Sequence, residues 1–547
     1  MELDVAVVGA GFAGLYMLYR LRRLGLRARV FEQGPDVGGT WFWNRYPGAR
    51  CDIESIDYCY SFSRELLSEW TWTERYATQP EILRYLQHVA DRFDLRRDIQ
   101  FSSRVTALRY DEPGNRWLVS ASAGEVVSAR HCVLAVGNLS SPKHPGFPGM
   151  DSFRGEWCHT AQWPAGGVDF EGLRVGLVGT GSTAIQALPQ IAKQAERVHV
   201  FQRTPNYSMP AQNRLLAPGE LREVVRGYDA RRRAAERSDA GVPMPPPQRS
   251  ALEVTAAERR RMYEQGWQRG GINALSYAFT DFFTDERANF TAQEFAREKI
   301  RSMVRDTAVA ELLCPRHHIG TKRTCVDIGY FETYNLRNVQ LVNVRSSPIT
   351  RLTPRGLATV SGEYELDVII FAMGFDAITG ALLEIDIRGR DGVPLAARWA
   401  GGPRTYLGLC VADFPNLFVI TGPGSPSVLS NMVVSIEQHV DWVSDCLAYL
   451  EERGLDRIEA SAEAEETWVH HVNELADATL YPRATSWYVG ANIPGKPRVF
   501  MPYVGGCGQY RRESEQVAER GYAGFILGAA SLAATHASVS GPAKKVV

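Results

Sequence analysis

The chain of 547 residues is several times the length of a typical ~100–200-residue domain, so two or more domains with large buried cores are expected. Its 61 Lys+Arg against 62 Asp+Glu leave a formal net charge of -1, which provides no global field for nucleic acid or an anionic membrane and points to a small-molecule partner. The nine cysteines are scattered singly, with no C-x-x-C and no Cys/His cluster at zinc spacing, which excludes a redox dithiol, a structural zinc and a disulfide framework and fits a reducing cytoplasm.

The N-terminus, "MELDVAVVGAGFAGLY", carries acids where a signal peptide has bases. No apolar run approaches the ~18 residues of a membrane span. The β-branched run Val5–Val8 enters Gly9-Ala10-Gly11-Phe12-Ala13-Gly14, followed by an apolar-periodic helix over 15–24 and a strand ending at Glu32. In such a βαβ unit, Gly9 permits the turn, Gly11 lets backbone approach a pyrophosphate, and Gly14 lets the helix pack closely. Glu32 is placed to accept from ribose hydroxyls.

"RVGLVGTGSTAIQALPQIA", from Arg174, repeats the plan with Gly179, Gly181 and Ala184, but its second strand ends in Gln202-Arg203-Thr204. A ribose 2'-phosphate is repelled by Glu and held by Arg through charge-assisted contacts. The first site therefore favours a ribose with free hydroxyls and the second favours NADP; otherwise Arg203 is an ordinary exposed residue at a strand end. The fold class is α/β, with two doubly wound Rossmann-like domains and a helical insertion. From about 213 to 315 the composition turns to Arg, Glu and Ala, which reads as helix broken at "VPMPPPQ", its mixed charges being solvated faces. Later strands, "YELDVIIFAMGFD" and "FPNLFVITGPGS", imply that the chain returns to domains begun earlier. The last stretch, "GAASLAATHASVSGPAKKVV", reads as a loose tail.

Two dinucleotide sites, one selective for NADP, most simply mean a flavoprotein reduced by NADPH. With no dithiol present, the electrons go to a quinone, a carrier protein or oxygen. Phe153-x-Gly155-x-x-x-His159-x-x-x-Trp163-Pro164 then matches the F-x-G-x-x-x-H-x-x-x-W-[PD] fingerprint of Baeyer–Villiger monooxygenases. "GGTWFWNRYPGARCD", "GTKR", "FAMGFDAITG", "GPGSPSVLSNM" and "SWYVGANIPGKPRVFMPYVGG" also resemble that family. The resemblance covers nearly everything from Leu3 to about Gly524 and is nearest to its phenylacetone and steroid monooxygenase type. Trp163-Pro164 resembles the ketone-oxidising branch more than the N- and S-oxidising flavin monooxygenases. A reductase or carrier flavoprotein without oxygenation is the remaining alternative.

The resemblance implies FAD and NADPH as cofactors, O2 and a ketone as substrates, and an ester or lactone as product formed through an anionic flavin peroxide. The charge balance and hydropathy point to no nucleic acid and no membrane, and nothing in the sequence looks like a docking patch for an obligatory protein partner. A fixed cation suits that chemistry because arginine stabilises an anion without giving up its proton. Arg323 of "GTKR" corresponds to the family's catalytic arginine, Lys322 to the residue reaching the NADP 2'-phosphate, and Asp52 to the acid paired with the arginine. Asp52 also fits a helix N-cap before "IESIDY". Gly39, Thr40 and Trp41 correspond to the loop along the flavin, with Gly38 beside it, and Trp487 to a residue on a mobile loop over NADP. Further cofactor contacts are implied at Phe12, Tyr58, Val105, Thr180, Ser182, Thr183, Gln186 and Thr204. The implied division is residues 1–143 and 374–525 for FAD, 144–211 and 320–373 for NADP, 212–319 as the insertion and 526–547 as the tail. Phe153, Gly155, His159 and Trp163 are expected to stiffen the connection between the two nucleotide domains.

Overall fold

Two large sheets, the first mixed and the second parallel, carry the molecule, which is described by a computed structural model over residues 2–122 and 124–529. In the first sheet, the strand Glu2–Val8 is buried on both sides between Ala28–Phe31 (Val7 opposite Val30) and Val126–Leu134 (Val7 opposite Val133). A strand covered on both faces reads as the continuous apolar run seen here. On the far side, Val126–Leu134 pairs antiparallel with Arg116–Ala121 through its first half and parallel with Leu417–Val419 through its second. The meander continues to Val105–Asp111, beside which Asp386–Arg388 lies parallel. Thus strands 386–388 and 417–419, late in sequence, complete a sheet begun at residue 2.

Helix Phe12–Arg23 packs over this sheet against the long helix Met432–Glu452. The approach depends on Gly14, where an added Cβ would lie 1.8 Å from the carbonyl oxygen of Gly9, itself at φ +101°. The second sheet, wholly parallel, orders Val339–Asn343, Arg197–Gln202, Arg174–Val178, Val368–Phe371 and Glu156–His159. Helix Ser182–Ile191 covers it and is buried on most of its surface.

The insertion consists of helices Pro218–Arg237, Ala256–Arg269, Glu286–Met303 and Thr307–Leu313, with the Pro-rich segment non-helical between the first two. A Thr255/Glu258 capping box fixes the start of the second helix. A core of its own, including Tyr263, Phe279, Phe282 and Phe295, holds it together. Its charges are not all solvated: Arg232 forms a buried pair with Glu437, and Arg231 makes two 2.6 Å bonds to Asp57. These pairs dock the insertion on the first sheet's side of the molecule.

Two expectations change here. The fingerprint stretch is not merely a connecting linker: its centre, Glu156–His159, is the edge strand of the second sheet. Phe153 is buried with Phe201, Leu352 and Phe371, Trp163 with Phe170 and Val175, and a Cβ on Gly155 would come within 2.2 Å of the Asp367 carbonyl oxygen. Phe153 and Trp163, which flank that strand, pack in two separate cores of the second sheet. The expected loose tail starts too early at 526, because strand Phe525–Gly528 pairs antiparallel with Arg457–Ala460. Residues 530–547 lie outside the described residues.

The chain crosses between the sheets twice, after 134 and after 371. The two crossings run side by side, with Pro142 bridged to Phe375, Lys143 N–H donating to Gly374 O at 3.0 Å, and Asp376 N–H to Ser141 O at 2.9 Å.

Candidate active site

Both helix N-termini are built to receive an anion. Gly11 and Gly181 stand at the N-cap positions, and no side chain caps either helix, so first-turn N–H groups face outward from each sheet's carboxyl edge. At the first turn, Glu32 is buried and accepts from the backbone of Ala10 (2.8 Å) and Gly34 (2.7 Å). Burial pushes its carboxyl above the ordinary value, and those N–H groups offset only part of the shift. The glycine turn at Gly39 closes on Gly11: a Cβ on Gly39 would meet Gly11 Cα at 2.9 Å. A ligand backbone fits there only because neither residue has a side chain.

A single cleft of about 730 Å³ runs from this turn to the second sheet. Gly9, Gly11, Phe12, Glu32 and Val105 line one end. Gly39, Thr40, Trp41, Asp52, Tyr58 and Arg323 line the middle, and Ser182, Thr183, Gln186 and Trp487 the part facing the second sheet. Trp41 Nε1 donates to the Tyr58 hydroxyl at 3.2 Å, and Tyr58 stands edge-on to Phe12 at 5.1 Å, which fixes the wall beside the first turn. Gln186 ties the segments together, accepting from the Tyr46 hydroxyl at 2.8 Å and donating to Arg50 O at 3.1 Å. Gly14 lies behind the cleft as a packing residue.

Arg323 and Asp52, 271 residues apart in sequence, meet at the cleft's centre. Nε and NH2 of the guanidinium each donate to one carboxylate oxygen at 2.8 Å, a fork-on-fork pair. NH1 donates to the Val428 carbonyl at 2.6 Å. Burial works against the charge, but the Asp52 carboxylate and its hydrogen bonds outweigh it and hold the Arg323 pKa above its ordinary value. Of five guanidinium N–H groups, three are committed, leaving two for the cleft. No helix follows Asp52, since residues 53–59 form turns, so the helix N-cap reading is set aside and the carboxylate serves Arg323 alone.

Gly179, Thr180, Gly181, Arg203, Thr204 and Lys322 gather beyond the cleft at the second sheet's carboxyl edge. Gly179 adopts φ +121°, and the Thr180 hydroxyl donates to Thr204 O at 2.8 Å. Arg203 is exposed and Lys322 half-buried, and neither pairs with a carboxylate among the described residues. Burial, then the charge of Arg203, lowers the pKa of Lys322 and likewise of Lys143. A cationic cluster with depressed lysines and no counter-ion among the described residues suits a phosphate dianion.

Three neighbours escaped the sequence reading. Lys143, from the first crossing, belongs to the cationic cluster. Tyr488 is buried beside Arg323, its phenol pushed up to about 12 by burial despite the arginine. The carbonyl of Val428 is a backbone atom, which no residue type announces. His159 is buried, accepts from Ala161 N–H through Nδ1 at 3.1 Å, and is lowered to about 4 by burial, so it stays neutral near pH 7. Among the described residues no group of His, Cys, Asp and Glu could hold a metal, and all nine cysteines are buried and unpaired.

The family model for pyridine nucleotide-disulphide oxidoreductases matches residues 6–230, the span of both dinucleotide turns. A Baeyer-Villiger monooxygenase from Pseudooceanicola batsensis is 42% identical over 528 residues, 96% of each chain. The chain belongs to the Baeyer–Villiger monooxygenases. An acetone monooxygenase (methyl acetate-forming) from Gordonia sp. strain TY-5 is 41% identical over 96% of this chain and 99% of its own. The structure of oxidized steroid monooxygenase bound to NADP superposes with a TM-score of 0.93 at 54% identity, over 96% of this chain and 99% of the other. The crystal structure of OTEMO in complex with FAD and NADP gives a TM-score of 0.93 at 39% identity, over 96% and 99%. As a Baeyer–Villiger monooxygenase, the enzyme uses FAD, NADPH and O2 to convert ketones to esters or lactones.

Proposed function

We propose that the Arg323–Asp52 pair is the centre at which this Baeyer–Villiger monooxygenase handles its ketone, and that the two turns divide the cofactors between them. The observation that carries this reading is the Arg323 guanidinium, locked by Asp52 and Val428 O at the middle of the cleft with two N–H groups left over. FAD, when bound, takes the hydride of NADPH and activates O2.

The chain's own contribution is positional and electrostatic. Gly9, Gly11 and the Phe12 helix N-terminus would hold the pyrophosphate of FAD, Glu32 would accept from its ribose, and Gly39, Thr40 and Trp41 would contact its flavin. Gly179, Thr180, Gly181, Ser182 and Thr183 would hold the pyrophosphate of NADP, with Arg203, Thr204 and Lys322 to receive its 2'-phosphate. Arg323, whose proton is held by Asp52, stabilises negative charge on oxygen without protonating it, so the oxygen stays a nucleophile toward the carbonyl. Trp487 and Met432 close the cleft with apolar surface, which excludes water. On this reading residues 1–143 and 374–528 serve FAD, and 144–211 with 320–373 serve NADP.

Relatives acting on acetone and on a steroid share this frame, so ketone size is set by side chains on the surrounding loops and not by the fold. No helix among the described residues is long and apolar enough to cross a membrane, and the unpaired cysteines support a cytoplasmic place. The test is Arg323→Ala. Anaerobic reduction of the flavin by NADPH survives, and ester or lactone formation from a cyclic or aryl ketone is lost. Ester formation at the wild-type rate in that variant overturns the assignment.

A further inference from the structure

Arg323 gets its third hydrogen bond from a loop whose shape is imposed from the other side of the cleft. We propose that Asn138 is a positioning residue that sets Arg323 through the loop from Ile420 to Asn431. The proposal rests on the reading of Arg323 as the catalytic cation. Asn138 lies in the first crossing between the sheets, is buried, and borders the cleft without touching Arg323. Its Nδ2 donates to Thr421 O at 3.0 Å and to Ser427 Oγ at 2.7 Å, while Oδ1 accepts from Thr421 Oγ1 at 2.8 Å. The amide has one orientation, since the reverse sets its oxygen against the Thr421 carbonyl.

The two residues it grips are the strained ones. Thr421 has φ +55° and Ser427 φ +46°, left-handed values that side chains avoid and that persist only where neighbours enforce them. His439 helps at Thr421, accepting its N–H through Nδ1 at 2.9 Å. At Ser427, Asn138 holds the hydroxyl while Ser430 Oγ donates to the carbonyl at 2.8 Å, and the next residue offers its carbonyl to Arg323 NH1. Asp52 fixes the Nε and NH2 edge of the guanidinium and Val428 O fixes NH1, so the direction of the two free N–H groups depends on where the Val428 carbonyl sits. Asn138 holds the residue before it through the Ser427 hydroxyl.

The test compares Asn138→Ala, Asn138→Asp and Ser427→Ala in the FAD-loaded enzyme. Asp matches Asn in size and still accepts from Thr421, but it cannot donate to either loop oxygen. Hydrogen exchange of the 420–431 backbone rises in all three variants, while that of 174–191 is unchanged. Ester formed per NADPH consumed falls roughly tenfold, with hydrogen peroxide making up the difference. Anaerobic flavin reduction by NADPH stays within about twofold of wild type, because hydride delivery does not pass through this loop. The Asn138→Ala/Ser427→Ala double variant loses no more than either single variant, as members of one chain of contacts should. Faster exchange with an unaltered ester yield shows that Asn138 only folds the loop and overturns the proposal, as does a parallel fall in flavin reduction. Should Arg323→Ala itself keep forming ester, the catalytic reading fails; an inactive Arg323→Ala beside a fully coupled Asn138→Ala sinks the positioning role alone.

Discussion

Replacing Arg203 by Ala separates nucleotide selectivity from everything else the second sheet does. A charge-assisted hydrogen bond contributes about 1.5–3 kcal/mol when its partner would otherwise be stranded. Arg203 is exposed, so screening by solvent places it at the lower end, near 1.5 kcal/mol, or about tenfold in affinity. The expected result is a roughly tenfold fall in kcat/KM for NADPH carried by KM, with kcat retained, because the contact is equal in ground and transition states. NADH, lacking the phosphate, changes by less than about twofold. A second signature concerns pH. Burial and then Arg203 depress Lys322, so in the wild type its charge is lost, and the KM for NADPH rises, at a lower alkaline pH than for a free lysine. Removing Arg203 withdraws one of the two causes and moves that break upward. Initial rates with both nucleotides from pH 7 to 10 measure all of this. An equal loss with NADH and NADPH, or an alkaline break that does not move, refutes the reasoning.

Three other outcomes follow from the geometry. Gly14→Ala drives a methyl into the Gly9 carbonyl, a 1.8 Å approach that backbone must move to relieve, and the purified protein should contain little FAD by its visible spectrum. Acidification should release FAD from a pH above the ordinary carboxylate value of 4.5, since the raised Glu32 loses its charge early; Glu32→Gln should bind FAD more weakly at pH 7 and show a flatter pH dependence by flavin fluorescence. Unfolding does not mimic this: with the folded pKa raised, ionised Glu32 disfavours the fold, and protonation between the raised value and 4.5 relieves that penalty. Lys496→Ala removes a buried ammonium that binds Asp376 and, at 3.0 Å, Ala377 O, freeing the segment that carries Trp487; the KM for NADPH should rise by about 5- to 20-fold with FAD content unchanged.

What the sequence disclosed followed the chain's local chemistry. Gly9, Gly11, Gly14 and Glu32 could be read because turn, helix and strand end lie within 24 residues of one another, and Gly179 to Arg203 for the same reason. The meeting of Arg323 with Asp52 has no local signal: it came from resemblance, and only the folded chain shows the fork geometry. Asn138 and the Val428 carbonyl stayed hidden because one is a common loop residue and the other a peptide oxygen. The fingerprint stretch misled in a physical way. Phe, Trp and His in a supposed connection looked like stiffening, whereas the segments flanking an edge strand need the same residues to pack in the cores on the sheet's two faces. Asp52 misled differently, its carboxylate fitting a helix N-cap where only turns follow. In the insertion, Arg231 and Arg232 sat among charges of both signs that spelled solvent, and nothing in the run marked the two that find buried carboxylates.

The paired crossings have a mechanical meaning. A body joined to another by two separate tethers can twist, slide and tilt, but here the tethers are hydrogen-bonded to each other from Ser141–Lys143 to Gly374–Asp376 and behave as one ribbon. A ribbon bends easily across its face and resists shear in its plane. Such a ribbon favours one motion of the second sheet relative to the first, a swing about the ribbon's line, with the Arg323–Asp52 pair and the bonds of Gln186 to Tyr46 and Arg50 as its further ties. Lys496, gripping Asp376 and Ala377 O, and Asn492, donating to Phe375 O at 2.7 Å, attach the Trp487 segment to that same line, so the swing and the covering of the cleft are geared to one axle.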